Sequence, residues 1–460
     1  MATTTAPATP FLVPEVPAER LPPGPRTPAT LVTLAWAVAP TWVMDRCRRR
    51  LGDTFTITFA PSGRKLVMVG DPEAVKTVFT APPELVPSAA GASPIASILG
   101  RSSVIVQTGR EHMRQRKLLL PPFHGERMRE YEDVIVDATR RDMASWPVGV
   151  PMKLHERTRA ITLEVILRAV FGVEVGRTDP LKRAIGELLE PTQRVSTLVF
   201  ALRKPSLERP GGAMGRGLDR LDEVIYEELA RRRGEADLAE RKDILSLLMQ
   251  ARDEDGEPMT DEELRDELVT LLLAGHETTA TSVAWAIERL VRHPQKLRRL
   301  LAEIDADEGE EYMQAVVNET LRVRPVVPLV VRVLQEDMQV GEHLLPKGAR
   351  VAPSIYMTNR NARVYGDPEA FRPERFLENA PETFSWIPFG GGIRRCIGAS
   401  FALLEMKLML RTMLSELEPR APASGRRRRG GEWNRRRAIT LVPAGGARVV
   451  WERRIGRSGK

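Results

Sequence analysis

Two spacings of apolar residues divide this chain. Near the N-terminus the spacing is that of strands. Thr54–Phe59 alternates apolar and polar positions, Pro61-Ser62-Gly63 turns the chain, and Lys65–Val69 runs apolar. Asp71-Pro72 then starts a helix, because aspartate caps and proline fits the first turn. Pro82–Gly100, rich in Pro, Ser, Ala and Gly, reads as a long loop. From Arg110 onward helical spacing dominates and predicts helices over Glu126–Trp146, Ile161–Phe171, Leu181–Leu189, Leu218–Arg233 and Asp243–Arg252. Lys204–Gly217 reads as a connector, and Ile439–Val442 with Arg448–Trp451 as a C-terminal hairpin. No repeat and no linker divides the chain. The expectation is a mainly α fold with small β-sheets: a flexible segment over residues 1–20, then one domain over 21–460.

The longest helical pattern carries the first sign of chemistry. Thr260-Asp261-Glu262-Glu263 has the spacing of a capping box, and the pattern continues to His293-Pro294. A helix over Asp261–Arg292 would be about 48 Å long at 1.5 Å per residue. Its middle reads Leu273-Ala274-Gly275-His276-Glu277-Thr278-Thr279-Ala280. Glycine costs about 1 kcal/mol in a helix interior, so something must compensate. Ala274 and Gly275 would let a flat cofactor and a small ligand approach the backbone. A threonine hydroxyl bonded one turn back would open the helix there. Glu277 adds a carboxyl able to relay protons. His276 reads as structural or outward-facing.

Composition narrows the classes. Of 460 residues 42% are hydrophobic and 28% charged, which suits a large globular core. Two cysteines, Cys47 and Cys396, provide no disulfide framework and suit a reducing cytoplasm. The net charge of +8 owes much to the runs Arg426–Arg429 and Arg435–Arg437. Without interleaved aromatics or a nucleic-acid-binding motif these read as solvated loops. Ala29–Met44 is apolar, but it contains Pro40 and is shorter than the roughly 20 residues of a membrane span. No transmembrane anchor is expected there, only a weak interfacial patch.

Cys396 lies in Phe389-Gly390-Gly391-Gly392-Ile393-Arg394-Arg395-Cys396-Ile397-Gly398. The glycines let backbone N–H groups approach the sulfur, and two arginines favour its thiolate. Shielded by Phe389, such a thiolate has what an axial haem ligand needs.

With these residues in view, the chain resembles the bacterial cytochrome P450 family of haem-thiolate monooxygenases. Phe389, Gly392, Arg394, Cys396 and Gly398 match the spacing of its cysteine loop, and Ala274–Thr279 matches its oxygen-activation segment. Glu277 stands where bacterial members more often carry aspartate. The resemblance implies a triangular helical prism with haem b between the long helix and the cysteine loop. It makes Cys396 the axial iron ligand, and it gives Thr278 the hydrogen bond to the reacting dioxygen, with Glu277 as the acid of the pair. Ala274 would approach the haem. His112, Arg116, Arg332 and Arg394 would meet its propionates, and Glu319, Arg322 and Arg375 would lock the cysteine loop. The resemblance further implies a monomer that takes NAD(P)H electrons from a separate ferredoxin or flavodoxin and its reductase. No flavin, nicotinamide or iron–sulfur motif lies in the chain itself. A basic stretch at Arg110, Arg114 and Lys117 would suit an acidic redox partner.

Expected pocket walls are Pro82–Gly100, Pro191–Gly212, Thr270, Leu273, Ala274, Thr278 and Val326–Val330, nearly all small or aliphatic. They point to a fatty acid, terpenoid or steroid-like substrate. A haem-thiolate isomerase, dehydratase or peroxygenase, and a haem sensor without turnover, remain alternatives at this stage.

Overall fold

A computed structural model describes residues 15–92, 95–172, 179–189, 209–422 and 431–454. The run Arg426–Arg429, most of the Pro191–Gly212 wall and most of the 1–20 segment lie outside them. The chain opens with α1 (Ala29–Val38) and α2 (Pro40–Leu51), then β1 (Thr54–Phe59), β2 (Arg64–Val69) and α3 (Pro72–Thr80). Next come α4 (Gly109–Leu119), α5 (Glu132–Met143), β3 (Pro151–Lys153), α6 (Leu154–Phe171), α7 (Asp179–Leu189), α8 (Gly212–Arg233) and α9 (Ile244–Gln250). The central helix α10 (Asp261–Arg292) leads to α11 (Pro294–Ala306) and α12 (Glu311–Val323). Short strands follow, β4 (Arg332–Val333), β5 (Met338–Val340), β6 (His343–Leu345) and β7 (Arg350–Pro353), before α13 (Ala399–Glu416). The chain closes with β8 (Leu417–Arg420), β9 (Asn434–Arg437), β10 (Thr440–Pro443) and β11 (Arg448–Arg453).

The expected N-terminal strands form. Phe55 and Ile57 face inward with no exposure, and β1 pairs antiparallel with β2 from Thr54–Val69 to Phe59–Arg64. Two distant strands complete this sheet in the order β1-β2-β7-β4. The Asp71 carboxylate accepts from the Glu73 and Ala74 amides and starts α3 as expected.

α10 matches its expected bounds because both ends are set locally. Thr260 and Glu263 complete the capping box, and Pro294 follows His293 at the far end. Its centre is held by α6. The hydroxyls of Thr158 and Thr162 donate to the carbonyls of Ala280 and His276 at 2.9 and 2.8 Å. A Cβ on Gly275 would come within 3.1 Å of Ile166 on α6. This glycine therefore permits close helix packing and does not face a cofactor, contrary to expectation. Packing at that crossing offsets the helical cost of glycine.

Several expectations change. Glu126–Trp146 breaks at Tyr131 into a short turn and α5. Among the described residues Pro82–Gly100 includes a 3-10 turn, Ala90–Ala92, and a short helix, Ala96–Leu99. Gly212–Gly217, read as connector, already belongs to α8. The C-terminal strands do not pair with each other. β10 pairs with β9, while β11 joins β3 and β8. Apolar alternation identified these strands but carries no information about partners. Arg435–Arg437 is β9, not a solvated loop, and Arg437 is only 14% exposed.

Candidate active site

The loop before α13 is shaped by backbone constraints. Gly390 and Gly392 adopt φ of 70° and 65°, a region costly for side chains. A Cβ on Gly392 would sit 2.2 Å from the Phe79 carbonyl oxygen, and one on Gly391 2.4 Å from the Phe79 ring. The Cys396 amide donates to the Phe389 carbonyl at 3.0 Å. The Gly398 N–H bonds the Cys396 sulfur. Cys396 thus lies three residues before Ala399, where an 18-residue helix begins, and the helix N-terminus favours negative charge at the sulfur.

Cys396 is exposed, yet its sulfur lies deep in a recess. Burial raises its thiol pKa, and the Gly398 N–H, Arg395 and Arg116 pull it down without winning. Of the two arginines expected to favour the thiolate, Arg395 does so; the second contribution comes from Arg116 on α4, not from Arg394, and burial is larger. A bound cation such as iron would tip the balance, because coordination deprotonates a thiol.

His112, Arg116, Arg332 and Arg394 come together from α4, β4 and the cysteine loop. Arg332 is 7% exposed, and its guanidinium donates to the Val331 carbonyl at 3.2 Å. Arg394 donates to the carbonyls of Val104, Ile105 and Gln107. Burial lowers Arg332 to about 10 and Arg394 to about 9, so both stay charged at neutral pH. His112 falls to about 3, first by burial and then by the three arginines, and is a neutral donor. Among the described residues none of these four pairs with a carboxylate. Half-buried cations without anions fit a ligand that brings its own carboxylates.

On α10, Ala274 is exposed although Leu272 and His276 beside it are buried, so the helix centre faces open space there. The Thr278 hydroxyl donates to the Ala274 carbonyl at 2.7 Å, the expected one-turn contact. Glu277 does not turn towards Thr278. Its carboxylate meets Arg159 at 2.7 Å, Arg437 at 3.4 Å and His155 at 3.6 Å. His276 is buried with Nδ1 2.9 Å from the Leu272 carbonyl, which settles it as structural. Thr270, expected as pocket wall, is buried and bonds Ser103 at 2.7 Å.

The expected framework forms. Arg322 grips Glu319 through two bonds of 2.6 and 2.9 Å, both side chains fully buried. Arg375 adds a third contact to Glu319 at 3.1 Å. Arg322 also donates to the carbonyls of Asn359, Pro368 and Ala370. The grip on the cysteine loop is indirect: the Asn359 side chain accepts from the Ile387 amide at 3.0 Å, two residues before Phe389.

The basic stretch on α4 is largely neutralised. Arg114 pairs with Asp253 and Glu263, and Lys117 with Glu254, so these side chains do not form a free cationic face.

One buried acid escaped sequence reading. Glu405 on α13 is 1% exposed, one oxygen bonded by Thr279 of α10 and Oε1 without a partner. Its signal was a glutamate on the apolar stripe of Phe401 and Met409, four residues from each. Burial pushes its carboxyl from the ordinary 4.5 up to about 8. Between these values the folded state holds a proton that the unfolded chain releases. Stability from this group is thus full below about pH 4.5 and falls until about pH 8, by a few kcal/mol. Denaturant unfolding at about pH 5 and about pH 8.5 should show that fall, and Glu405→Gln should flatten it. An equal fall in the variant would assign the effect elsewhere.

Comparison with known proteins agrees with this geometry. The Cytochrome P450 family model matches residues 22–433. "Putative cytochrome P450 137" of Mycobacterium tuberculosis is 41% identical over 412 residues, covering 88% of this chain and 84% of that protein. "Putative cytochrome P450 135B1" of Mycobacterium bovis is 38% identical over 438 residues, covering 93% and 91%. Among solved structures, the retinoic acid-bound cyanobacterial CYP120A1 superposes with a TM-score of 0.80 at 23% identity, over 94% of this chain and 99% of that one. The cytochrome P450DA haem domain gives 0.81 at 22% identity, over 94% and 97%. The fold and the cysteine site are those of a haem-thiolate monooxygenase. The chain belongs to the cytochrome P450 family, whose cofactor is haem, and the unpaired cations and recessed Cys396 fit that cofactor.

Proposed function

We propose that this protein inserts one atom of dioxygen into an unactivated C–H or C=C bond of an apolar small molecule of fatty acid, terpenoid or steroid type. Electrons come from NAD(P)H through a separate ferredoxin or flavodoxin and its reductase. The observation that carries this reading is the Thr278 hydroxyl, bonded to the Ala274 carbonyl beside the open face of α10, in a chain that also keeps the cysteine loop and carries the Glu277 carboxyl one residue earlier. Haem-thiolate isomerases and dehydratases do not reduce dioxygen and so have no need to deliver protons to it.

Cys396 would hold the iron, with Arg332, Arg116, Arg394 and neutral His112 receiving the propionates. Arg332 is better placed than Arg394, which already serves three backbone carbonyls while Arg332 serves one. Haem supplies dioxygen activation when bound, and its thiolate ligand favours O–O cleavage. Thr278 holds a proton at its hydroxyl oxygen and can redirect it from the Ala274 carbonyl to the reacting oxygen by rotation. Glu277 can replenish that proton only by turning away from the guanidinium groups of Arg159 and Arg437, while His155, lowered to about 4 by burial, stands beside it as a neutral neighbour. Half-exposed Leu273 and Val330, with exposed Ala274, offer apolar contact and no fixed charge to a substrate.

The test measures NAD(P)H consumed against product formed, with a lipid and terpene panel and added ferredoxin and reductase. Product should require every component. Thr278→Ala should lower product per reducing equivalent several-fold, the remainder appearing as peroxide. Unchanged coupling would remove Thr278 from the relay, and turnover without reductant would favour isomerisation.

A further inference from the structure

α1, with the sequence Ala-Thr-Leu-Val-Thr-Leu-Ala-Trp-Ala-Val, contains no charged residue. Only Val32, Thr33 and Trp36 turn inward, where Trp36 meets Phe59 of β1 edge-on at 5.5 Å. The outer side carries Leu31, Leu34 and Val38 at 55%, 65% and 70% exposure. Trp42 in the first turn of α2 is also 51% exposed. The spacing of three and then four residues sets Leu31, Leu34 and Val38 along one side of α1, and Trp42 follows beyond the break at Ala39. Single exposed apolar residues are ordinary, but three along one side of an uncharged helix, with an exposed tryptophan just beyond it, are not. Helices apolar all round belong in a core or against lipid.

The surroundings identify the occupant. The Arg46 guanidinium lies over the Trp42 ring, 5.5 Å from its centre. Arg49 and Arg50 are exposed one turn further, and none of these three has an ion-pair partner among the described residues. The β9–β10 hairpin, which packs beside α1, brings Arg435 and exposes Trp433 and Ile439. Tryptophan and arginine at the edge of an aliphatic stripe match the boundary of a bilayer with anionic headgroups. A second copy of the chain would set like charges against each other. No helix of the described residues is long and apolar enough to cross a membrane, so contact would be with one leaflet.

We propose that α1 and the start of α2 form a monotopic docking face for an anionic lipid bilayer. An apolar substrate could then be drawn from the leaflet. The experiment sediments the haem-loaded full chain with phosphatidylcholine vesicles, with and without phosphatidylglycerol. Binding should be at least about tenfold stronger to the anionic vesicles and weaken with salt, since each basic residue at such a surface contributes about fivefold. Leu34→Ser with Val38→Ser, and separately Arg49→Glu with Arg50→Glu, should each cut binding about fivefold or more. The haem spectrum and melting temperature should not change, because all four positions are exposed. Absence of vesicle binding, or variants that bind like the parent, would overturn the proposal. So would light scattering that shows a dimer of the parent chain dissolved by the leucine–valine variant, which would give the face to a second copy.

Discussion

Cys396→Ser is expected to abolish the red-shifted Soret band of the reduced, carbon monoxide-bound haem protein and to lower oxygenation at least about a hundredfold, ~2.7 kcal/mol in barrier. Serine preserves the Phe389 and Gly398 backbone contacts, so the loop should survive. What disappears is the sulfur. An alcohol stays protonated where a thiol, even one raised by burial, yields to a metal. Cys47 is the internal control. It sits 5% exposed in the apolar cluster of Val43, Met44 and Phe55, and its thiol is raised mainly by burial. Cys47→Ser should leave the band intact. A retained band in Cys396→Ser, or its loss in Cys47→Ser, would reverse the assignment.

The second large effect concerns Glu319. Glu319→Ala leaves the fully buried guanidinium of Arg322 without its counter-ion, and also strips Arg375 and the Arg372 amide of an acceptor. Breaking a buried pair from one side costs about 3–5 kcal/mol. Domains as a whole are stable by only about 5–15 kcal/mol. The variant should therefore lose much of its unfolding free energy and release haem at lower denaturant than the parent. Glu319→Gln, which keeps the acceptor oxygen and the shape, should lose less. Denaturant titration followed by circular dichroism and Soret absorbance measures both. A loss under about 1 kcal/mol in Glu319→Ala would show that the three carbonyls around Arg322 suffice.

What the sequence made legible follows from how local each determinant is. The bounds of α10 depend on Thr260, Glu263 and Pro294, each acting within a turn of the chain, and they were readable. The Glu319–Arg322 ion pair and the one-turn bond of the Thr278 hydroxyl were readable for the same reason: residue type and spacing carry them. Strand partners were not, since β10 could as well pair forward as back, and only the turn at Ala438-Ile439 places it on β9. The direction of the Glu277 side chain was equally hidden. It depends on Arg159 and Arg437, which are 118 residues before and 160 after it. Gly275 misled because smallness suits a ligand and a neighbouring helix alike, and Ile166 decided between them.

The two glycines packed against Phe79 are constrained by different things. At Gly391 the obstacle is a ring, which a smaller residue at position 79 would remove. At Gly392 it is a carbonyl oxygen, which every residue at position 79 possesses, and φ is positive as well. Position 391 can therefore vary together with position 79 in a diverging lineage or a combinatorial library. Position 392 has no such compensating partner, so α3 and the cysteine loop stay locked in their relative placement while the side chains between them drift.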